Sequence, residues 1–188
     1  SGEGRSRSKL DLPGFQQELL EEVYSINPNI VLVLMNGRPL VLNWANKNIP
    51  AILEAWHLGT QSGNAIAQVL YGEYNPSGKL PMSFPRSVGQ IPIYYNHKNT
   101  GRPGADGEDA GSVFWSHFID EKNSPLFPFG YGLSYTSFNY SNIELNKNSL
   151  ENNDDDYLIA SIEISNTGDF KGKEVVQLYL HDKYASVT

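Results

Sequence analysis

The segment Phe127–Phe138, reading FPFGYGLSYTSF, constrains the fold more than any other part of the chain. Its rings at Phe127, Phe129 and Tyr131 alternate with Pro128, Gly130 and Gly132. In an extended backbone that spacing places the three rings on one face and leaves the other nearly bare. Glycine has no Cβ, so another backbone or a ligand can come close on the bare face. No charged residue occurs from Asn123 to Ile143, yet the stretch is too rich in Pro, Gly and Ser to span a bilayer. It reads as a packed, ordered connector, and the chain changes character on either side of it.

Before the connector, helices alternate with short apolar strands. Phe15, Leu19, Leu20, Val23 and Ile26 fall on one helical face, opposite Gln16, Gln17, Glu18, Glu21 and Glu22. Pro13 is placed to open that helix and Asn27-Pro28 to close it. The uninterrupted run Ile30–Met35 predicts a strand buried on both faces, followed by a turn at Asn36-Gly37-Arg38-Pro39. Further strands are predicted at Pro39–Leu42 and Ala51–Trp56, and a helix at Ser62–Tyr71 that buries Ala65, Ile66, Val69 and Leu70. Asn75-Pro76-Ser77-Gly78 has turn chemistry throughout. This order argues for an α/β layered fold.

After Tyr135 the period changes to two. Leu158, Ala160, Ile162 and Ile164 alternate with Ile159, Ser161, Glu163 and Ser165, and Val176, Leu178 and Leu180 alternate with Gln177, Tyr179 and His181. Asn166-Thr167-Gly168-Asp169 between them reads as a hairpin-type connection. The pattern is that of a β-sandwich with one buried face, and it is incomplete, because such a fold takes about seven strands in about a hundred residues.

Composition excludes several classes of function. The formal net charge is −7 and no Lys/Arg cluster occurs, which argues against nucleic acid and anionic membrane surfaces as partners. With no cysteine there is neither a disulfide framework nor thiolate chemistry. No signal peptide is visible, but Ser1 is not a natural start and this says little. The aromatic residues concentrated between Tyr94 and Tyr140 exceed what a core of this size needs. A surface that stacks on carbohydrate and packing between domains are equally good readings of them.

Common catalytic templates are absent. His57, His97, His117 and His181 lack ligand spacing, so no metal site is expected. The chain has no dinucleotide fingerprint, P-loop or nucleophile elbow. Asp154, Asp155 and Asp156 after Asn152-Asn153 lack the Gly and Glu of a calcium loop and read as a solvated connection. One carboxylate stands apart, Glu3 in SGEGRSRS, between two glycines and near Arg5 and Arg7. A carboxylate on such a loop can protrude into a cleft and exchange protons. By pattern alone the plainer reading, an exposed acid in a frayed terminus, is the stronger one.

Several segments together resemble the carboxyl-terminal half of family 3 glycoside hydrolases, the β-glucosidase and β-xylosidase group. They are VLVLMNGRPLV (31–41), AILEAWHLGTQSG (51–63), NAIAQVLYGEY (64–74), NPSGKLPMSFP (75–85), QIPIYY (90–95) and LFPFGYGLSYTSF (126–138), in matching order and spacing. The likeness is greatest to periplasmic β-glucosidases with a fibronectin type III-like domain, whose strands GKEVVQLYL (172–180) resembles. The fold this implies is an α/β sandwich domain, of which residues 1–132 are the second part. Residues 133–188 are then the start of a truncated fibronectin-like all-β sandwich.

The resemblance also implies a retaining double displacement by an Asp nucleophile and a Glu acid/base. The nucleophile belongs to a barrel domain that this stretch lacks, so no Asp of this chain takes that role. The acid/base position matches Glu3, ten residues before Pro13. Retention needs two carboxyl groups about 5–5.5 Å apart, one ionised and one protonated. Closure over the barrel mouth and a nearby Asp anion both favour the protonated form. The expected substrate is a β-linked glucoside or oligosaccharide, with no cofactor. The expected partner is the barrel of the same protein, with a homodimer as a further option and a periplasmic or secreted location.

Residues 1–188 alone are expected to be inactive. Three readings compete with the β-glucosidase: a non-catalytic sugar-binding or structural module, a β-xylosidase, and an N-acetylglucosaminidase whose acid is an Asp–His pair on the barrel. Trp44, Trp56, Phe84 and Tyr71 are expected in core or interface packing. Tyr94, Tyr95, Arg102, Phe114, Trp115 and His117 lie in or beside the loop Thr100–Asn123, outside the family motifs.

Overall fold

The computed structural model describes residues 3–98, 100–103, 114–151, 153 and 155–187. Ser1, Gly2, Asn152, Asp154 and the centre of the 100–123 loop, all singled out in the sequence, lie outside the described residues. Two compact units are present: one of Ser1–Ala67, Lys79–Tyr131 and Gln177–Thr188, the other of Gln68–Gly78 and Gly132–Val176.

The first unit is built on a βαβ crossover. Strand β1 (Val31–Leu34) pairs in parallel with β2 (Ala51–Glu54), in the register Val31↔Ala51 to Leu34↔Glu54. Helix α1 (Gln16–Ile26) precedes β1, and α2 (Asn43–Asn48) makes the crossover. Parallel strands require such a return, which the sequence did not reveal because NWANKN is rich in a poor helix former. Tertiary packing overrides that propensity: Ala45 is fully buried, and Trp44 packs edge-on to Tyr24 of α1, ring centroids 5.6 Å apart.

The predicted strand at Pro39–Leu42 is not one. Leu40 and Leu42 are buried as the alternation requires, but the backbone makes a single link, Val41 N–H to the Leu10 carbonyl at 2.9 Å, before Leu42 turns into α2. On α1 the inward residues are Leu20 and Tyr24, whereas Phe15, Leu19 and Ile26 are mostly exposed. The helix closes as expected: Asn27 N–H caps Val23, and the Asn27 side chain accepts the Asn29 N–H at 2.9 Å.

The core gathers Leu34, Leu40, Leu42, Ala45, Ile49 and Phe84. Phe84, 1% exposed, is its centre, against Trp56 and Phe127 at 5.9 and 6.1 Å. Here the aromatic connector enters. An antiparallel ribbon joins it to the 80–84 segment through Phe84 N–H to Phe127 O, Leu126 N–H to Phe84 O and Gly130 N–H to Leu80 O, each 2.8 Å.

The connector is not extended throughout, however. Tyr131 N–H reaches back to the Pro128 carbonyl at 3.1 Å, closing a turn with Gly130 at φ +80°. The turn stacks Phe127 on Tyr131 at 5.2 Å and sends Phe129 to Tyr95 at 4.5 Å, so the three rings do not form one row. The bare side of Gly130 is filled by Gln177, whose Nε2 donates to the Gly130 carbonyl at 3.0 Å.

Helix α3 (Ser62–Leu70) follows a 3₁₀ turn at Gly59–Gln61. Ala65, Ile66 and Val69 are half-buried, but Leu70 is exposed, contrary to expectation. Tyr71, expected in packing, is 84% exposed.

The strands of the second unit form short antiparallel ladders. Strand β3 (Phe138–Tyr140) pairs with β6 (Ile164–Asn166), and β4 (Glu144–Leu145) with β5 (Ala160–Ser161). The predicted continuous strand Leu158–Ser165 is broken at Ile162–Glu163, where Glu163 exchanges hydrogen bonds with Ser141. Its expected buried face is open, with Leu158 and Ile162 exposed and only Ile164 half-buried. The 176–181 segment is irregular, so Asn166–Asp169 does not join two strands as a hairpin. A strand needs a ladder partner, and here Gln177 and Tyr179 engage Gly130 and Tyr95 through their side chains instead. Asn75, predicted only as a turn residue, organises this unit. Its Oδ1 accepts from Ser134 Oγ and Tyr135 N–H, and its Nδ2 donates to the Lys171 carbonyl.

The Gly130 turn yields a stability test. A Cβ at φ > 0 costs about 1–2 kcal/mol, and a methyl there overlaps the Gln177 side chain. Gly130→Ala is expected to lower the melting temperature of the full-length protein by several degrees. Gly78→Ala, which meets nothing within 4 Å, should leave it unchanged. Equal melting of both variants would refute the turn.

Candidate functional site

The carboxyl ends of β1 and β2 lie side by side, which is where open α/β sheets bind ligands. Three segments converge there: the loop that carries Glu3, the turn Asn36–Arg38 after β1, and Glu54–Trp56 at the end of β2.

Glu3 and Gly4 form an exposed turn, with Gly4 at φ +65° and nothing within 4 Å of the place a Cβ would take. The chain behind this turn is held to the crossover. The Arg7 carbonyl accepts a 2.9 Å hydrogen bond from Arg38 Nη1, the Leu10 carbonyl receives Val41 N–H, and Leu12 packs on the core. The result is a carboxylate on a free tip with a fastened base. A cleft of about 250 Å³ is lined by Arg7, Lys9 and Asp11 of this loop together with Met35, Asn36 and Arg38. Glu3 itself is not among its lining residues.

A second carboxylate, missed in the sequence, stands at the strand ends. Glu54 Oε1 accepts the Trp56 N–H at 3.0 Å and so holds Trp56 at φ +48°, a left-handed conformation rare for a bulky residue. The Asn36 side chain lies against the same carboxyl, while its Nδ2 donates to the Arg38 carbonyl at 2.6 Å. Burial pushes the Glu54 carboxyl above its usual range; the Trp56 N–H and the Asn36 contact oppose this without cancelling it. Glu54 Oε2 and Asn36 Oδ1 are both buried with no hydrogen-bond partner among the described residues. The signal available in the sequence was an acid ending the apolar run AIL and a polar turn after VLVLM.

The other residues singled out stand elsewhere. Tyr95 stacks on Phe129 and meets Tyr179 edge-on at 5.9 Å. The Arg102 guanidinium lies over the Phe114 ring at 6.0 Å, and His117 Nδ1 is 2.8 Å from the Trp115 carbonyl. Buried Gln90 anchors the end of the 100–123 loop, donating to the Lys122 carbonyl at 2.6 Å and accepting the Arg86 N–H at 2.6 Å. Asp156 pairs with Lys147, and the Asn153 side chain accepts the Asp155 N–H at 3.1 Å, as in a solvated turn. Among the described residues no group of three His, Cys, Asp or Glu is placed to hold a metal ion.

Residues 1–135 match the family described as the glycosyl hydrolase family 3 C-terminal domain. A periplasmic β-glucosidase of Salmonella typhimurium is 49% identical over 186 residues, which are 99% of this chain and 24% of that protein. A β-xylosidase of Formosa agariphila is 46% identical over 186 residues, again 99% of this chain and 24% of the relative. Among solved structures, the β-glucosidase from Listeria innocua in complex with glucose superposes with a TM-score of 0.86 at 42% identity, covering 98% of this chain and 25% of that one. The chain thus spans about a quarter of the length of the relatives it matches.

The Glu54 site predicts a pH effect. The folded chain keeps the Glu54 proton to a higher pH than the unfolded chain, so this contribution to stability is complete below the unfolded-state value. It is lost as the pH rises through the folded one. Gln at position 54 retains the acceptor for the Trp56 N–H and has no proton to lose. Glu54→Gln is expected to raise the melting temperature of the full-length protein at about pH 8 and to change it far less at about pH 4. A pH-independent difference in thermal unfolding would contradict the raised proton affinity of Glu54.

Proposed function

The chain belongs to the glycosyl hydrolase family 3 C-terminal domain family, and from that premise we propose that it is the part of a retaining β-glucosidase that supplies the general acid/base, Glu3. The observation that carries this reading is the exposed Glu3 turn on a loop anchored at Arg7 and Leu10 to the carboxyl edge of the parallel strands. An acid catalyst must reach outward to a substrate held by another domain yet not wander. A free tip on a fastened base meets both needs.

In the proposed reaction, an Asp on a barrel outside this chain attacks the anomeric carbon while the Glu3 carboxylic acid protonates the departing glycosidic oxygen. This leaves a glycosyl-enzyme ester. The Glu3 carboxylate then takes a proton from water as the water attacks the same carbon, releasing the terminal β-D-glucosyl residue with retained configuration. No cofactor enters the scheme. Residues 1–132 act as the second part of the α/β sandwich domain, and residues 133–188 begin a fibronectin type III-like domain. The antiparallel pairs β3–β6 and β4–β5 support the latter. The Salmonella relative's name supports a periplasmic location. The Formosa relative favours a second reading, β-xylosidase, which the ratio of kcat/KM on aryl β-glucosides and aryl β-xylosides decides.

In the full-length protein, Glu3→Gln is expected to lower kcat/KM on substrates with poor leaving groups by about 10²–10⁴ and to spare glycosylation by activated aryl glycosides. Azide, which needs no general base, should restore turnover of the intermediate. Equal loss on every substrate without rescue would reject the role. Residues 1–188 alone should hydrolyse no aryl β-glucoside, and substantial turnover by them would overthrow the division of labour.

A further inference from the structure

Among the described residues, a side-chain donor joins the Glu3 loop to the turn after β1, and that donor is itself held. Arg38 Nη1 donates to the Arg7 carbonyl at 2.9 Å, four residues beyond Glu3. The Arg38 carbonyl is fixed from the other side by Asn36 Nδ2 at 2.6 Å. The Asn36 side chain in turn lies against the Glu54 carboxyl, whose second oxygen fixes the Trp56 N–H. The path runs from the rigid parallel ladder, where Leu34 pairs with Glu54, out to the exposed turn. Between Glu3 and Arg7 the residues are exposed.

We propose that Arg38 is a positioning residue for Glu3: its guanidinium sets the height and direction of the Glu3 turn through the Arg7 backbone, with Asn36 and Glu54 setting Arg38. This rests on the acid/base reading of Glu3. Arg38 touches no reacting atom in the proposal and acts only through the loop. A planar guanidinium suits this, because it can hold a carbonyl in one direction, whereas an ammonium on a flexible stem holds it less firmly.

The two ideas separate in one experiment on the full-length protein. Glu3→Gln, Arg38→Ala, Arg38→Lys and the double variant Glu3→Gln/Arg38→Ala are assayed on aryl β-glucosides spanning a wide range of leaving-group pKa. The fraction folded is checked by circular dichroism. Misplacing an acid by about 1 Å costs up to about 10²-fold. Arg38→Ala is therefore expected to lower kcat/KM about 10- to 100-fold on poor leaving groups and little on activated ones, with Arg38→Lys recovering part of the loss. The double variant should be no worse than Glu3→Gln alone, as required of residues acting through one another.

If Glu3→Gln shows the leaving-group dependence while Arg38→Ala lowers all substrates equally, or adds its full effect to Glu3→Gln, the positioning role is overturned and the acid/base reading stands. If Glu3→Gln itself loses activity equally on all substrates, the acid/base reading fails and takes the role of Arg38 with it. Should Arg38→Ala not fold, Arg38→Lys alone decides: a leaving-group-dependent loss supports the proposal, and a uniform one refutes it.

Discussion

The parallel pairing of Val31–Leu34 with Ala51–Glu54 determines where each chemically relevant group of the first unit stands. Parallel strands end on the same side, so the polar turn after β1 and the carboxylate closing β2 are brought together there. The same geometry requires a crossover, and the crossover segment supplies the Val41 N–H that fastens the loop behind Glu3. A shift of one register position would separate Glu54 from the β1 exit and undo the Asn36–Arg38 arrangement. The core of Leu34, Leu42, Ala45 and Phe84 holds that register by burying both sides of the crossover.

Polar groups at the strand ends are arranged by the cost of burial. Trp56 sits in a strained left-handed conformation because its N–H finds an acceptor in Glu54, and Asn36 trades solvent for the Arg38 carbonyl. Burial raises the proton affinity of Glu54, and the Trp56 N–H and the Asn36 side chain oppose that rise. The exposed Glu3 is the opposite case, a carboxylate kept in water by a glycine turn and limited in reach by links further along the loop. One acid is held in the scaffold and the other is exposed.

What could be read beforehand depended on how local the cause was. The apolar run at 30–35 and the amphipathic stretch ending at Asn27-Pro28 each carry their own explanation and formed where expected, but the strand is not buried on both faces: Val31 and Met35 are exposed, because a two-stranded ladder leaves the ends of the run uncovered. Helix α2 did not announce itself, because Asn43, Asn46 and Asn48 disfavour it and only the packing of Trp44 and Ala45 makes it. Pro39–Leu42 misled in the opposite direction: its alternation was real, but burial without a ladder partner does not make a strand. Glu3 was legible as a candidate only through the resemblance of the surrounding motifs. Glu54 and Arg38 were not legible at all, since their roles depend on contacts with Asn36 and Arg7 that no local spacing encodes.

The connector FPFGYG shows the same division. Sequence by itself determined that the glycines of this stretch allow a close approach and that the segment would be packed and ordered, because absence of a Cβ and aromatic area are properties of the residues. It also determined the family, through motifs spread along the chain. Only the tertiary structure decided that the chain turns at Gly130, that Phe127 meets Tyr131 while Phe129 meets Tyr95, and that Gln177 fills the gap. It alone set the Glu54–Asn36–Arg38–Arg7 path. Side-chain identity limits which contacts are affordable, but which of them form depends on strands and loops distant in sequence meeting at one edge of a buried ladder.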